Sequence, residues 1–288
     1  NRATAAGYLP SPAAIVDCVR GRIDILAALY EREEFYEVVM PELRALCTEY
    51  IVHALEKIGW SFKNTETFTA GSLAEMLGVI SEHRRLFGRM LDILGEDGIL
   101  KRDGDGWRCA VRPDSTDPVT TWRTLIQRHP SFHAELMLLH RCGYRLNEIL
   151  RGEADPLSLI FPAHSLVSEH LYHDAPTFRL YNRLMQLVMS TIIDRIPEGQ
   201  PIRILEIGAG TGATTIQMLR VLPPHRTRYV FTDISRTFVT QAEQNLRSGF
   251  PFVDFMVLNI EKDPVEQGFQ PHSFDIVLAT DALHATTD

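Results

Sequence analysis

Apolar segments and amphipathic segments alternate along the last third of the chain, and this alternation constrains the fold more than any other feature of the sequence. We predict strands at 203–207, 228–232, 253–260 and 274–280, with helices at 214–222 and 236–246. Strands that are apolar over nearly their whole length and are joined by helices belong to a parallel sheet covered by helices on both faces. The sequence therefore predicts an α/β fold for this part of the chain.

A glycine-rich turn joins the first predicted strand to the helix that follows it, in the segment Glu206-Ile-Gly-Ala-Gly-Thr-Gly212. The glycines Gly208, Gly210 and Gly212 allow a tight turn and let a ligand lie against bare backbone. The spacing of Gly208, Gly210 and Ala213 also satisfies the dinucleotide-binding pattern. The turn by itself therefore leaves both NAD and S-adenosylmethionine open as cofactors.

Two acidic residues near the turn help to distinguish between these two cofactors. Asp233 ends the second predicted strand, where a carboxylate can accept hydrogen bonds from the ribose hydroxyls of either nucleoside. Glu206 favours S-adenosylmethionine, because a carboxylate repels a pyrophosphate but attracts an ammonium and a sulfonium group. The simpler alternatives are a solvated acid at a strand end for Glu206 and a helix N-cap for Asp233.

Three further residues are candidates for contact with an adenine ring. Asn259 follows the third predicted strand, and its carbonyl oxygen is suited to accept a hydrogen bond from the exocyclic amine. Ile234 and Ile260 are suited to pack on the ring faces. Each of the three has an equally good structural interpretation, but together with the glycine turn they predict an S-adenosylmethionine site.

A histidine follows the fourth predicted strand, in the run Asp281-Ala-Leu-His-Ala-Thr286. Ligands of open parallel sheets bind beyond the carboxyl ends of the strands, so we expect His284 to face the cofactor. A histidine at that position is suited to act as a general base at neutral pH. The alternative is a helix-capping or core histidine.

The whole chain resembles the C-methyltransferase domains inside modular polyketide synthases. The matching runs are 204–212, 229–235 and 283–286 in the last third, and 51–60, 161–162 and 171–176 upstream. The resemblance implies a class I methyltransferase core with a Rossmann-like sheet at residues 171–288. It also implies a mostly helical lid domain at residues 1–170, with the seam between the two near Phe161-Pro162.

The resemblance also implies an activity and residue roles. The activity is methyl transfer from S-adenosylmethionine to the α-carbon of a β-ketoacyl group on an acyl carrier protein. His284 matches the family's catalytic base, and Tyr172 matches a lid tyrosine that faces the reaction chamber; the alternative for Tyr172 is a buried structural tyrosine. Family members usually carry Asp at the position of Asn259 and Asn at that of Asp281, which lies near the methionine moiety.

The predicted sheet contains the first four of the seven strands of a class I methyltransferase. We expect the fourth strand to form an open, apolar edge. The resemblance places the carboxylate partner of the catalytic histidine beyond Asp288. The sequence therefore leaves open an active domain that continues further and a truncated, inactive member that serves as a structural domain.

Residues 70–110 have the helix, turn, helix and β-ribbon order of a winged helix. They contain six Lys and Arg against seven Asp and Glu, and the whole chain has a net charge of −8. Because nucleic-acid affinity depends on clustered positive charge, we interpret the segment as a packing or dimerisation module and exclude a nucleic-acid partner. The expected partners are the carrier protein, its acyl thioester and neighbouring synthase domains.

The remaining composition bears on location and metals. The four cysteines are scattered and form no CxxC pair, which favours a reducing, cytoplasmic location, and no apolar run approaches the ~20 residues of a membrane span. The histidines at 129, 133, 140, 164, 170 and 173 raise the question of a metal site, and His129 and His133 have the i, i+4 spacing of metal ligands. Because no third ligand is evident, we assign no metal ligands, and the question of a bound metal stays open. A small-molecule O-methyltransferase and an NAD-dependent dehydrogenase remain as further alternatives.

Overall fold

The computed structural model describes residues 8–63, 66–113, 117–161 and 167–286, and the side chains of these residues except 167–169. The chain divides into two compact units, Asn1–Arg32 with Tyr172–Asp288, and Glu33–Leu171. The predicted boundary at residue 170 lies next to the second break, and Pro162 of the predicted seam lies outside the described residues.

Helices make up most of the described structure. Their bounds are α1 Pro12–Leu29, α2 Arg32–Glu34, α3 Met40–Lys57, α4 Ala70–Met76, α5 Arg84–Glu96, α6 Pro118–Arg128, α7 His133–Tyr144, α8 Leu146–Leu150, α9 Pro156–Ile160, α10 Val167–Asp174, α11 Pro176–Ile193, α12 Ala213–Leu219 and α13 Arg236–Leu246. A π-helical turn, Phe35–Val39, leads into α3.

The strands form two sheets. Their bounds are β1 Leu100–Asp103, β2 Gly106–Cys109, β3 Ile202–Ile207, β4 Thr227–Asp233, β5 Val253–Val257 and β6 Ile276–Ala279. β1 and β2 pair as an antiparallel ribbon, and the other four strands form a parallel sheet in the order β5-β4-β3-β6. The predicted parallel α/β fold is confirmed.

The strand order locates the point where the chain changes direction across the sheet. From β3 the chain adds β4 and then β5 on one side, and it then returns to add β6 on the other side of β3. In sheets of this kind the crevice for a ligand opens at the carboxyl ends of the strands where the order reverses. Here that point is the end of β3, which leads into the glycine turn.

The two faces of the parallel sheet are packed differently. Side chains of α11, α12 and α13 share one buried cluster with alternate residues of β3 and β4, including Ile204, Tyr229 and Phe231. The opposite face carries Leu205 and Val230, which pack with side chains from residues 258–274. The prediction of helices on both faces is therefore wrong for the described residues. Successive right-handed crossovers that advance in one direction place their helices on the same face.

β6 lies at one edge of the described sheet. Its residue Val277 is 60% exposed, in agreement with the expected apolar edge. Among the described residues, helices that combine the length and apolarity of a bilayer span were not found.

The first helix groups with the parallel sheet, although the sequence interpretation assigned residues 1–170 to a single helical domain. α1 packs along α11 in the structure. Arg195, just after α11, donates hydrogen bonds to the carbonyl oxygen of Ala14 at 3.0 Å and to Sγ of Cys18 at 2.8 Å. The sequence interpretation differs here because helical periodicity does not show which distant helix a given helix contacts.

The unit Glu33–Leu171 contains the predicted helix, helix and ribbon order. α4 begins after Thr69, which forms a capping box with Ser72, and it ends before Gly78, which has a φ of +71°. Trp107 of the ribbon is buried in one cluster with residues of α3, α4 and α5. The winged-helix order therefore forms part of a larger core.

The contact between α5 and the ribbon yields a testable prediction. A methyl group on Gly95 would lie 2.6 Å from the buried ring of Trp107, whereas a methyl group on Gly88 of the same helix would meet nothing within 4 Å. Replacing Gly95 with Ala should therefore lower the free energy of unfolding by about 1–3 kcal/mol. The control Gly88→Ala should raise it by up to about 1 kcal/mol, because Ala favours the helix.

Urea unfolding of both variants, followed by circular dichroism, measures the two changes. Equal effects of the two substitutions would show that Trp107 does not pack against Gly95.

Candidate cofactor and active site

The glycine turn packs directly against the segment that follows β6. Gly208 has a φ of +62°, and a Cβ atom placed on it would lie 2.4 Å from the Cβ atom of Ala282. Gly212 caps α12 with a φ of +78°. Both positions lie in the left-handed region that favours glycine, so bare backbone lines the turn. The contact with Ala282 brings the turn next to residues 281–284.

Asp233 holds the turn in place from the end of β4. Its Oδ2 atom accepts a hydrogen bond from the amide of Gly210 at 2.9 Å, and its Oδ1 atom accepts one from the amide of Ser235 at 2.7 Å. The residue is 7% exposed. Each carboxylate oxygen has a second lone pair, so these contacts leave room for ribose hydroxyls. The predicted ribose contact stays a prediction.

Glu206 lies beneath the turn and is 1% exposed. Its Oε2 atom accepts hydrogen bonds from the hydroxyl groups of Thr215 at 2.6 Å and Tyr229 at 2.7 Å. Burial raises the pKa of Glu206 from its ordinary value of 4.5 to about 7, although the two hydrogen bonds lower it and the charge of Asp233 raises it slightly. Glu206 is therefore not a solvated acid, and a nearby cation would favour its ionised form.

Thr215 and Tyr229 were not identified from the sequence. Tyr229 lies within an apolar strand and Thr215 lies in the first turn of a helix, so both patterns indicate ordinary elements of secondary structure. The one feature of the sequence that could have indicated their role is the hydroxyl group of each side chain, because a hydroxyl in a buried position needs a hydrogen-bond partner.

The predicted adenine contacts lie just after β4 and just after β5. Ile234 is 63% exposed, Ile260 is partly buried, and Oδ1 of Asn259 accepts a hydrogen bond from the amide of Glu261 at 2.9 Å. Gln267, which the sequence interpretation missed, binds both the amide of Asn259 at 2.9 Å and its carbonyl oxygen at 2.8 Å. The loop after β5 is thus held by its own side chains, and the three adenine contacts stay predictions.

His284 lies in a 3-10 turn, Leu283–Ala285, just past the end of β6. Its side chain is 69% exposed, so the alternative of a core histidine is wrong. Its Nδ1 atom lies 3.5 Å from Oδ1 of Asp281. Asp281 has a φ of +56°, a region that Asp and Asn tolerate better than most side chains. Asp at this position therefore suits the same backbone as the Asn that the family usually carries.

Tyr172 is partly buried and faces this region. Its ring packs edge-on against Phe178, with 4.8 Å between the ring centroids. Burial raises the pKa of Tyr172, and the charge of Asp281 raises it further. The phenol is therefore protonated at neutral pH and is available as a hydrogen-bond donor. Asp281 thus interacts with both predicted catalytic residues, Tyr172 and His284.

The histidines considered as metal ligands lie elsewhere in the chain. His129 is buried, and its Nε2 atom lies 2.6 Å from Oε2 of Glu42. Among the residues that the structure describes, no three or more His, Cys, Asp or Glu side chains are placed together so that they could hold a metal ion. His164 lies outside the described residues.

The close approach of Gly208 to Ala282 can be tested by substitution. Gly199→Ala is the control, because Gly199 also has a positive φ but an added Cβ atom there would meet nothing within 4 Å. Gly208→Ala should therefore lower the free energy of unfolding by about 1–3 kcal/mol more than the control does. Urea unfolding measures this difference. A difference near zero would contradict the observed packing of the turn.

The raised pKa of Glu206 predicts a pH dependence of stability. Between about pH 4.5 and pH 7 the carboxyl group loses its proton in the unfolded chain but keeps it in the folded chain. Unfolding then releases a proton, so ionisation of Glu206 lowers stability as the pH rises through this range. Glu206→Gln removes this contribution while it keeps an acceptor for Thr215 and Tyr229.

The free energy of unfolding of Glu206→Gln minus that of the wild type should therefore rise by about 3 kcal/mol across that range and then stay constant. Urea unfolding of both proteins at a series of pH values measures it. A difference that does not change with pH would mean that Glu206 has an ordinary pKa in the folded protein.

Two family models match the chain. Residues 18–107 match the model described as methyltransferase, helix-turn-helix domain, and residues 205–288 match the model described as methyltransferase domain. The first covers α3 and most of the winged-helix segment, and the second begins one residue before Glu206. The two matches thus correspond to parts of the predicted lid domain and of the predicted core.

Similar proteins include solved structures and curated sequences. The structure of the CurJ carbon methyltransferase has a TM-score of 0.92 and 35% sequence identity to this chain. The match covers 97% of this chain and 74% of the CurJ chain. The CMeT domain of the citrinin polyketide synthase has a TM-score of 0.83 and 28% identity, with coverage of 96% and 74%. The non-reducing polyketide synthase nvfA of Aspergillus novofumigatus (strain IBT 16806) is 33% identical over 258 residues.

The match to nvfA covers 88% of this chain and 11% of the synthase, so the chain spans about a tenth of the length of the curated relatives it matches. The two solved carbon methyltransferases, by contrast, are matched over about three quarters of their length. This combination of identity, coverage and fold shows that the chain belongs to the S-adenosylmethionine-dependent carbon methyltransferases of polyketide synthases.

Proposed function

We propose that the chain transfers a methyl group from S-adenosylmethionine to the α-carbon of a β-ketoacyl group carried on an acyl carrier protein. The observation that carries this proposal is the position of His284. It is exposed past the end of β6, and Ala282, two residues before it, contacts the glycine turn. A base is thereby held next to the site expected to bind the methyl donor.

The residues around the turn fit an S-adenosylmethionine molecule. The turn offers backbone without side chains, and Glu206 and Asp233 supply two carboxyl groups beside it. A bound cation would favour the ionised form of Glu206, whereas a pyrophosphate would be repelled by it. The bound cofactor would supply an electrophilic methyl group on a positively charged sulfur.

His284 provides the proton transfer of the proposed reaction. An α-carbon between a ketone and a thioester has an acidic proton, which Nε2 of His284 is suited to remove. The carbon that has lost its proton would accept the methyl group, and the electron pair of the carbon–sulfur bond would stay on the sulfur. The carboxylate of Asp281 lies 3.5 Å from Nδ1, on the side of the ring opposite the nitrogen that would accept the proton.

Tyr172 is suited to stabilise the negative charge that develops on the oxygen of the substrate. Its pKa is raised by burial and by Asp281, so the hydroxyl keeps its proton and donates a hydrogen bond. Donors aimed at a developing oxyanion are among the larger contributions to catalysis. We therefore assign Tyr172 a role in binding the enolate oxygen.

The proposed partners follow from the same assignment. A carrier protein brings the acyl thioester, and neighbouring synthase domains surround the chain, as the names of the relatives suggest. We also propose a cytoplasmic location without nucleic-acid or membrane partners. The four cysteines, which are all free thiols, and the net charge of −8 support this.

Replacing the base tests the proposal. In the intact protein, His284→Ala should lower the rate of α-carbon methylation by about 10²–10⁴-fold, while the affinity for S-adenosylmethionine stays the same. Mass spectrometry of a β-ketoacyl carrier protein measures the gain of one methyl group, and calorimetry measures the affinity. His225→Ala, which removes another exposed histidine, is the matched control.

Exchange of the α-proton for solvent deuterium separates proton removal from methyl transfer. Both should be slowed in His284→Ala. Wild-type rates in that variant would mean that the base lies elsewhere. An intact wild-type protein that binds the cofactor but shows neither exchange nor transfer would exclude the proposed acceptor, and one that binds no cofactor would favour a structural, inactive domain.

A further inference from the structure

The carbonyl group of Tyr172 lacks its ordinary helical partner. Tyr172 lies in the last turn of α10, where its carbonyl oxygen would accept a hydrogen bond from the amide of the fourth residue along. That residue is Pro176, which has no amide proton. The side chain of Asn182 supplies the missing donor, with its Nδ2 atom 3.0 Å from the carbonyl oxygen of Tyr172.

The other end of the Asn182 amide binds the helix that follows the glycine turn. Oδ1 of Asn182 accepts a hydrogen bond from the hydroxyl group of Thr214 at 2.8 Å. The two residues are 6% and 8% exposed, so water does not compete freely for these groups. The orientation of the amide is determined by its partners, because a carbonyl oxygen only accepts and therefore faces the nitrogen.

Thr214 and its neighbour Thr215 connect the first turn of α12 to two different elements. Thr215 donates to Glu206 on β3, and Thr214 donates to Asn182 on α11. Both threonines lie within three residues of Gly212, where the glycine turn ends. The turn is therefore connected to Tyr172 through two successive hydrogen bonds of buried groups.

A second contact between the same helices does not include Tyr172. Gln186, one helical turn after Asn182, donates a hydrogen bond from Nε2 to the carbonyl oxygen of Gln217 at 3.1 Å. It is buried to the same extent as Asn182. Gln186 therefore provides a matched control for the general packing of α11 against α12.

We propose that Asn182 is a positioning residue that couples occupancy of the glycine turn to the placement of Tyr172. The inference rests on the proposed function, in which Tyr172 contacts the acyl substrate. A cofactor that orders the turn also orders the start of α12, and Thr214 and Asn182 transmit this order to the backbone of Tyr172. The phenol is then held beside Asp281 when the methyl donor is present.

Three variants of the intact protein test the coupling. Asn182→Leu keeps the branched shape of the side chain but removes both hydrogen bonds, and Thr214→Val removes only the hydroxyl group. Gln186→Met likewise removes two hydrogen bonds, those with Gln217 and Arg183, and is the control. Two readouts are compared with and without S-adenosylmethionine: hydrogen exchange of the amides of residues 172–175, and kcat and KM for methylation of a β-ketoacyl carrier protein.

In the wild type and in Gln186→Met, the cofactor should slow amide exchange at residues 172–175. This slowing should be lost in Asn182→Leu and in Thr214→Val, because occupancy of the turn no longer reaches Tyr172. In these two variants kcat should fall about tenfold, while the affinity for the cofactor changes by less than about twofold. A purely structural role of Asn182 would instead lower stability without removing the response to the cofactor.

The coupling is overturned if Asn182→Leu keeps both the cofactor-dependent slowing and the wild-type kcat, or if the wild type shows no slowing. Should Asn182→Leu fail to fold, Thr214→Val decides, because it changes a single hydroxyl group. An intact wild-type protein that binds the cofactor but does not methylate the carrier substrate contradicts the proposed function alone. The exchange comparison then still decides whether Asn182 couples the two sites.

Discussion

The carboxyl end of the sheet is organised around one buried carboxyl group, that of Glu206. Its hydrogen bonds with Thr215 and Tyr229 connect β3 to the start of α12 and to β4. The hydroxyl group of Thr232 also donates to the carbonyl oxygen of Glu206 at 2.6 Å, which adds a second contact with β4. An acid buried without a partner is costly, so these donors both stabilise Glu206 and fix the turn that follows it.

The segment after β6 brings the reacting groups to this turn. Gly208 has no side chain, and this allows Ala282 to approach it closely. This contact positions the residues around Ala282. Asp281 comes to lie near Tyr172, and Nδ1 of His284 lies 3.5 Å from Oδ1 of Asp281. One carboxylate therefore lies close to both groups: it approaches the imidazole of His284, and its charge adds to the burial that raises the pKa of the Tyr172 phenol.

The unit Glu33–Leu171 shows how a familiar order of elements can serve packing. Its two helices and ribbon have the winged-helix order, but Trp107 of the ribbon is buried against helices of the same unit. The segment has nearly equal numbers of positive and negative residues, whereas nucleic-acid recognition needs an excess of positive charge.

The sequence by itself determined the order of strands and helices, the glycine turn and the positions of His284 and Asp233 at strand ends, because periodicity, glycine and chain order are local properties. It did not show that Glu206 is buried, that α1 packs on α11, or that Asn182 links Tyr172 to Thr214. These features depend on contacts between segments far apart in the chain, such as Asn182 and Thr214, 32 residues apart. Only the tertiary structure decides them, because a polar side chain finds its partner after the apolar faces have packed.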